Sequence, residues 1–506
     1  MRTKNALRNV IASLTYEIML VLFGLIMPRL IINTYGSEVN GLTSTINQIL
    51  QILNLLQAGA VGASIFQMFK PVAEKDYQQI SIVLDASKRY FRKIGTIFLI
   101  LIFIVAPVMS MSTDSELAVW EKLVSFIILG INGAFYFFFT SWFDILFSSH
   151  QKRFMLSIAS IIDKLVYYGL LFAVILLKLH FIWMYIVVMI GTLSKVTYLY
   201  IIYRKEFKPK LVKNVSDKSF KIQNKGYLLC NQISTQAVDS LPTVLITSMH
   251  GLALASVYAV YNLVQNTIKM VVRTVQLSVS EIFGNLVVSE NTDRVRSVYN
   301  LMEFVFFLAA VVLCTCACFL FMPFIYLYTD CNTFDVNYIY PVLAIVVVVY
   351  DLFYCMYMPC YTLTNVLGLY RETYLQAVIS AVISVAISIG AGLVYWPLVM
   401  LGPVFYYMSS LIYRFVIAKR NAMWLTVGRF VRRISVVILS LIASYFAASN
   451  VYGAGYTGSW ITWIVHAVVC GLAVLAVVTV YVLIFERKEM KQLLKYGKTV
   501  LNKRRK

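Results

Sequence analysis

The chain has 506 residues, of which 60% are hydrophobic and only 13% are charged, and its mean hydropathy is +0.77. A soluble protein would carry about 25% charged residues, so the composition excludes an ordinary soluble enzyme and predicts a multi-pass membrane protein. The formal net charge is +21, and the positions of the cations along the chain indicate what this charge reflects.

Fourteen segments are apolar enough to form membrane-spanning helices, each of which needs about 20 such residues. They lie near residues 11–33, 40–66, 94–111, 120–146, 155–177, 182–203, 225–249, 252–283, 298–322, 337–363, 374–395, 398–417, 435–450 and 460–485. The sequence therefore predicts an all-α polytopic membrane protein with about 14 transmembrane helices.

The lysines and arginines are concentrated on one side of this predicted topology. If both termini lie in the cytoplasm, most of the 44 cations fall in cytoplasmic loops and tails, and the outward loops hold only Lys122 and Lys178. Cytoplasmic loops of membrane proteins carry such an excess, so we expect both termini inside. The net charge then reflects topology and indicates no nucleic-acid partner, although anionic membrane lipids or an anionic cargo could use it.

The two halves of the chain resemble each other at an offset of 215 residues. This offset pairs Gly36 with Gly251 and Asn47 with Asn262, and Pro28 and Pro242 correspond within one residue. The pattern predicts two pseudo-symmetric six-helix lobes followed by two extra helices. The predicted divisions are an N-terminal lobe (1–203), a basic cytoplasmic linker (204–224), a C-terminal lobe (225–417), two extra helices (418–485) and a basic cytoplasmic tail (486–506).

In both halves, the helix after the paired glycine carries polar residues at helical spacing, so they share one face. The first helix contributes Asn47, Gln51 and Asn54, and the second contributes Tyr258, Asn262, Asn266, Lys269 and Arg273. Unsatisfied polar groups are costly against lipid, so we interpret these faces as the lining of a water-filled cavity. Hydrogen bonding between helices without a cavity is the alternative, and it explains the two cations poorly.

Three cations within the apolar segments are candidate substrate-binding residues, because ionisable groups inside a membrane are expensive and usually functional. Lys269 and Arg273 lie one turn apart on the second polar face, and Arg29 follows Pro28 near the outer end of the first helix. Each of the three could instead extend its charge to the membrane surface.

Four acids in the predicted spans are candidates for ion coupling or for charge pairing: Asp239, Asp351, Glu17 and Asp163. Asp163 and Lys164 are adjacent, so they point about 100° apart on a helix, and we predict that they do not pair directly.

The sequence indicates no metal site and no cofactor. The eight cysteines lack metal-ligand spacing, and "YGKTV" in the tail lacks the earlier glycine of a phosphate-binding loop, since position 492 is Gln. With no site for a nucleotide, an energy source would have to be an ion gradient, the membrane potential or the gradient of a cargo.

The segment "LIMPRLIINTYGSEVNGLTSTINQIL" and the basic linker "YRKEFKPKLVKNVSDKSFKIQNKG" resemble those of polysaccharide exporters in the multidrug/oligosaccharidyl-lipid/polysaccharide (MOP) superfamily. The Wzx-type flippases of O-antigen or capsule repeat units are most similar. The resemblance implies a MATE-like fold and an undecaprenyl-pyrophosphate-linked oligosaccharide as cargo. It also implies the bacterial cytoplasmic membrane as the location, and a polysaccharide polymerase complex is a candidate partner.

In relatives, cations on helices one and eight bind the pyrophosphate or acidic sugars. Arg29 occupies the first position in this chain, and Lys269 and Arg273 occupy the second. Relatives often add a cation on helix two, where this chain has only amides.

Three other functions remain open at this stage. A MATE-like exporter of small molecules would share the fold, although its cavity usually favours cations through acidic residues. A membrane-integral polysaccharide polymerase or sugar transferase would need a large loop with catalytic acids, and the longest inward loops are basic instead. A scaffold without transport activity has no specific support in the sequence.

Overall fold

The computed structural model describes residues 2–57, 60–212, 226–288, 292–329, 335–421, 427–452, 458–487 and 489–490. All regular structure in these residues is helical, which confirms the predicted fold class. The chain forms two compact units, Met1–Ala259 and Val260–Lys506. Most of the predicted linker and tail lies outside the described residues.

Eight helices precede the long helix α9 in the first unit. They are α1 (Arg2–Tyr35), α2 (Ser37–Leu53), α3 (Ala60–Glu74), α4 (Tyr77–Ser112), α5 (Val119–Phe135), α6 (Ser141–Ser149), α7 (Arg153–Leu176) and α8 (Ile182–Ile202). A π-helical turn at 136–140 joins α5 to α6, and α7 packs against α1 and α8.

Helix α9 (Gly226–Val288) begins in the first unit and ends in the second. The second unit continues with α10 (Thr292–Thr329), α11 (Pro341–Val366), α12 (Tyr370–Val394), α13 (Leu401–Asn421), α14 (Val427–Tyr452) and α15 (Trp460–Phe485). Helix α10 packs against α11, α14 and α15, and α13 packs against α11 and α12.

Twelve helices in the described residues are long and apolar enough to cross a membrane, or thirteen if the bent pair Ser37–Gln57 and Ala60–Glu74 is one span. The protein is therefore a multi-pass membrane protein. The long helix α9 counts once in this total, yet it is broken at Gly251, and each piece exceeds the about 20 residues that a span requires. The number fourteen and the cytoplasmic placement of both termini stay predictions.

Two helices differ in detail from the apolar segments of the sequence. The predicted span 40–66 corresponds to two helical segments, Ser37–Gln57 and Ala60–Glu74, that are bent by 40° relative to each other. Helix α4 begins at Tyr77, well before the predicted span 94–111. The prediction began too late because the first half of the helix carries charged residues, which a search for apolar segments excludes. Asp76 caps this helix: its side chain accepts a hydrogen bond from the backbone N–H of Gln79 (2.9 Å).

The predicted repeat has a structural counterpart at its two glycines. Gly36, between α1 and α2, has φ 85° and ψ 170°, and Gly251, within α9, has φ 85° and ψ 177°. Side chains other than hydrogen are strained at such positive φ values. The same backbone break therefore interrupts the helices at equivalent positions in the two halves.

Equivalent residues of the repeat also meet within the first unit. Gly41 corresponds to Ser256, and a Cβ on Gly41 would lie 1.9 Å from the carbonyl oxygen of Leu252 and 3.1 Å from the Ser256 nitrogen. The adjacent Asn40 donates a hydrogen bond from Nδ2 to Ser256 Oγ (2.8 Å). The start of α2 thus packs, backbone to backbone, on the part of α9 that follows Gly251.

The loop between α4 and α5 contacts both equivalent helix starts, namely the start of α2 and the backbone of α9 at Gly251. Its backbone N–H at Glu116 and the hydroxyl of Ser115 donate to the carboxylate of Glu38 on α2 (3.0 and 2.8 Å). A Cβ on Gly251 would lie 2.9 Å from the carbonyl oxygen of Asp114. The loop therefore leaves no room for a larger residue at the second glycine.

One of the two cations in the predicted outward loops has a structural explanation. Lys122 is buried in α5, and its amine donates to the carbonyl of Thr113, the residue that caps α4 (2.8 Å). A cation at the carboxyl end of a helix is favoured by the helix dipole. Its position thus follows from the fold.

Buried ion pairs attach α14 and α15 to the rest of the second unit. The fully buried guanidinium of Arg433 lies 3.0 Å from Glu303 of α10 and 2.8 Å from Glu486, which follows α15. Burial alone would raise the pKa of Glu486, but Arg433 and Arg432 outweigh it and lower that pKa. Removing one partner from a buried pair usually costs about 3–5 kcal/mol, so this network fixes the two extra helices.

We predict that Gly41→Val destabilises the protein by about 1–3 kcal/mol, the usual cost of overpacking, because its side chain would overlap the Leu252 carbonyl. Thermal unfolding of the detergent-purified chain measures this effect. Gly24→Ala is the control, since a Cβ at Gly24 meets no atom within 4 Å. Equal unfolding temperatures for Gly41→Val and the unsubstituted protein would contradict the described helix contact.

Candidate functional site

The predicted site residues are distributed over both compact units. The first unit contains Glu17, Arg29, Asn47, Gln51, Asn54, Asp163, Asp239 and Tyr258, and the second contains Asn262, Asn266, Lys269, Arg273 and Asp351. Each group is described within its own unit, and the predicted cavity between two lobes stays a prediction.

In the second unit, the amine of Lys269 lies over two tyrosine rings of α11. It is 5.0 Å from the ring centre of Tyr350 and 5.7 Å from that of Tyr354. The two rings are stacked, with an angle of 11° between their planes. A cation over an aromatic face gains about 0.5–2 kcal/mol. Lys269 therefore directs its charge at α11 and is half-buried there.

The two tyrosines begin a stripe along α11. Tyr350, Tyr354, Tyr357 and Tyr361 follow at spacings of four, three and four residues, which places them on one helical face. The ring of Tyr407 from α13 lies 5.1–5.3 Å from the first three. We call these five residues the tyrosine stripe.

A second cation lies at the other end of the tyrosine stripe and was missed by the sequence analysis. Arg414 of α13 is buried, with its guanidinium carbon 5.5 Å from the ring centre of Tyr357 and 5.2 Å from that of Tyr361. Its Nη1 donates to Thr364 Oγ1 (2.8 Å). An arginine inside the tyrosine-rich segment "VFYYMSSLIYR" was the available signal. The stripe thus has a cation at each end.

The other predicted polar residues of the second unit differ in exposure. Asn262 is buried, whereas Asn266 and Arg273 are exposed. Because Arg273 follows Lys269 by one helical turn, both cations lie on the same side of α9.

In the first unit, the predicted polar face of α2 is accessible. Asn47 and Gln51 are exposed and Asn54 is half-buried, whereas Ile46 and Ile49 on the other face are buried. The amide of Gln51 accepts a hydrogen bond from Gln236 of α9 (3.2 Å). Helix α2 therefore separates an apolar packing face from an amide-rich exposed face.

The remaining residues of the first unit lie in varied surroundings. Arg29 and Glu17 on α1 and Asp239 on α9 are half-buried, and Tyr258 is buried. Helix α1 continues through Pro28 to Tyr35.

The prediction that Asp163 does not pair with Lys164 was wrong. The lysine amine lies 3.7 Å from the Asp163 carboxylate. A long, flexible lysine side chain can curve back across the 100° between neighbouring positions, which an estimate from helix geometry alone ignores. In the second unit, Asp351 is fully buried directly after Tyr350.

The described residues contain no group of three or more His, Cys, Asp or Glu side chains that could hold a metal ion.

No protein-family model and no curated protein matches the sequence, but solved structures match the fold. The lipid II flippase MurJ in an inward closed conformation has a TM-score of 0.62 at 13% identity, covering 94% of this chain and 98% of that one. An inward-facing multidrug resistance MATE family transporter of the MOP superfamily has a TM-score of 0.60 at 12% identity, covering 83% and 96%.

The protein has the fold of the MOP-superfamily transporters. A third similar structure, the MATE multidrug transporter DinF-BH, has a TM-score of 0.59 at 14% identity and covers 82% of this chain and 95% of that chain. The MATE-like fold implied by the sequence resemblance is thereby confirmed, and these neighbours are transporters and a flippase rather than enzymes.

We predict that a cysteine at position 47 reacts at least about tenfold faster with a water-soluble maleimide than a cysteine at position 46, because Asn47 is exposed and Ile46 is fully buried. The comparison uses Asn47→Cys and Ile46→Cys in a background without the native cysteines. Slow labelling of both would favour a polar face that faces other helices or lipid, and would contradict a water-filled lining.

Proposed function

We propose that the protein is a flippase for lipid-linked oligosaccharides. It would move undecaprenyl-pyrophosphate-linked repeat units across the bacterial cytoplasmic membrane by alternating access, for the synthesis of O-antigen, capsule or exopolysaccharide. The observation that carries this proposal is the amine of Lys269 held over Tyr350 and Tyr354, with Arg273 one turn further along the same helix.

The charge of this site suits a pyrophosphate. Such a group carries about two negative charges, and burying it without compensation would cost several kcal/mol or more. Lys269 and Arg273 supply two cations, and Arg29 would supply another in the first unit. We propose that Arg29, near the predicted outer end of α1, holds the phosphate late in the crossing.

The neutral polar residues suit the sugars of the cargo. The amides of Asn47, Gln51 and Asn266 are at least partly accessible and can both donate and accept hydrogen bonds. Tyrosine combines an apolar ring for stacking on a sugar with a hydroxyl for hydrogen bonding. Half-buried Tyr361, at the end of the tyrosine stripe, is the stripe residue most accessible to such a ligand.

Ion coupling would need an acid that changes its protonation or binds a cation. Asp351 is the candidate we favour, because it is fully buried and directly follows Tyr350, the ring beneath Lys269. Asp239, Glu17 and Asp163 are the other candidates, and the carboxylate of Asp163 lies 3.7 Å from the amine of Lys164.

A MATE-like exporter of small molecules is the second candidate function. The similarity to MATE multidrug transporters favours it. The positive side of α9 argues against it, because a cationic drug would be repelled by Lys269 and Arg273. A polysaccharide polymerase or sugar transferase has less support, since the similar folds belong to transporters.

We predict that Lys269→Gln combined with Arg273→Gln lowers the amount of surface polysaccharide at least about tenfold, because the variant loses both cations for the pyrophosphate. The assay quantifies surface polysaccharide in cells that depend on this protein, and membrane fractions establish that the variant is inserted.

The matched control is Lys70→Gln combined with Lys75→Gln, which removes two exposed cations far along the chain from α9. Normal surface polysaccharide in the Lys269 and Arg273 double variant would refute the assignment of these residues. An equal loss of surface polysaccharide in the control would show that the total positive charge of the protein, rather than these two positions, determines the result.

A further inference from the structure

A small pocket in the first unit is lined by none of the predicted site residues. It has a volume of about 100 Å³ and is lined by Tyr77, Ile80, His150, Lys152, Glu206, Phe207, Lys210 and Leu211. These residues come from the start of α4, the turn between α6 and α7, and the segment after α8. The predicted topology places all three at the cytoplasmic surface.

Three of the lining residues carry or can gain a positive charge. The amine of Lys152 contacts the carboxylate of Glu206 and lies 5.4 Å from the ring centre of Phe207. Its charge is therefore largely compensated within the pocket. Lys210 is exposed, and its amine supplies the main charge for a ligand.

His150 is oriented so that one ring nitrogen is available for a ligand. Its Nδ1 lies 2.8 Å from the carbonyl oxygen of Leu146, which can only accept a hydrogen bond, so Nδ1 carries a proton. Its ring packs edge-on against Phe207, with 4.9 Å between ring centres. The other nitrogen, Nε2, can then accept a proton and donate it to an anion.

The surroundings of His150 favour its neutral form. Burial lowers the pKa of His150, the hydrogen bond to Leu146 opposes this, and the charges of Lys152 and Lys210 lower it further. An anion in the pocket would offset both lysines and so favour protonation of Nε2.

We propose that this pocket binds a phosphate group, and specifically the headgroup phosphate of an anionic membrane lipid in the cytoplasmic leaflet. Lys210 and His150 Nε2 contact the phosphate oxygens, and Lys152 is shared between the phosphate and Glu206. The volume suits a single phosphate group. The apolar side chains of Tyr77, Ile80 and Leu211 pack against the carbon atoms next to it, which favours a lipid over free phosphate.

Binding would also fix the beginning of the predicted linker. Phe207 is buried at the pocket, and the backbone N–H of Val212 donates to Ser81 Oγ on α4 (3.0 Å). A lipid held between α4 and Lys210 would add a further connection between this segment and the helices of the first unit.

The test uses the purified full chain in a neutral detergent, titrated with dioctanoyl phosphatidylglycerol, with inorganic phosphate and with dioctanoylglycerol, which lacks phosphate. The chain has four histidines, so ¹⁵N-histidine NMR can follow His150 once His150→Gln has assigned its signal. We expect phosphatidylglycerol to shift Nε2 towards its protonated form, and dioctanoylglycerol to leave it unchanged.

The lysine variants test the contacts. Lys210→Gln removes a charged hydrogen-bond donor to the phosphate, so it should weaken phosphatidylglycerol binding at least about tenfold. The control Lys208→Gln, also exposed but outside the pocket lining, should bind as the unsubstituted chain does. Because Lys210 is exposed, its replacement should not unfold the protein.

The outcomes separate the possible ligands. Tighter binding of inorganic phosphate than of the lipid, with the same dependence on Lys210, would assign the pocket to free phosphate. The proposal would be overturned if none of the probes shifts His150, if dioctanoylglycerol acts like the phospholipid, or if Lys210→Gln and Lys208→Gln bind equally well.

Discussion

The stacking of Lys269 on Tyr350 and Tyr354 is the interaction on which the proposed site depends. An amine within an apolar helix is expensive, and a lysine usually reduces that cost by extending to the membrane surface. In this protein the amine lies over two stacked rings of the second unit. The tyrosine stripe then continues along α11 to Arg414, so a row of aromatic rings lies between the two cations.

The repeat of the chain explains how polar faces arise at equivalent places in both halves. Gly36 and Gly251 adopt nearly the same backbone conformation, and each precedes a helix with a polar face. The contact at Gly41 brings the start of α2 against α9 with no side chain between the backbones. Glycine is thus required at these positions for a physical reason, positive φ at the two breaks and close approach of backbones at Gly41.

The sequence predicted the features that follow from strong local signals. Apolar length predicted the helices, and the offset of 215 residues paired Gly36 with Gly251, where the structure has its two equivalent backbone breaks. Features that depend on packing were not predictable. The tyrosines beneath Lys269 are far away in the sequence. The rings that contact Arg414 became evident only once α13 was placed beside α11. The contact between Asp163 and Lys164 depends on the flexibility of the lysine side chain. The assignment of the cargo goes beyond the fold, because flippases and drug exporters share it.

The most direct measurement is translocation by the purified protein in proteoliposomes. A fluorescent undecaprenyl-pyrophosphate-linked oligosaccharide and a cationic dye would be compared under the same ion gradients. The account predicts that the protein moves the lipid-linked oligosaccharide across the bilayer and leaves the dye behind. Transport of the dye without movement of the lipid-linked oligosaccharide would contradict it.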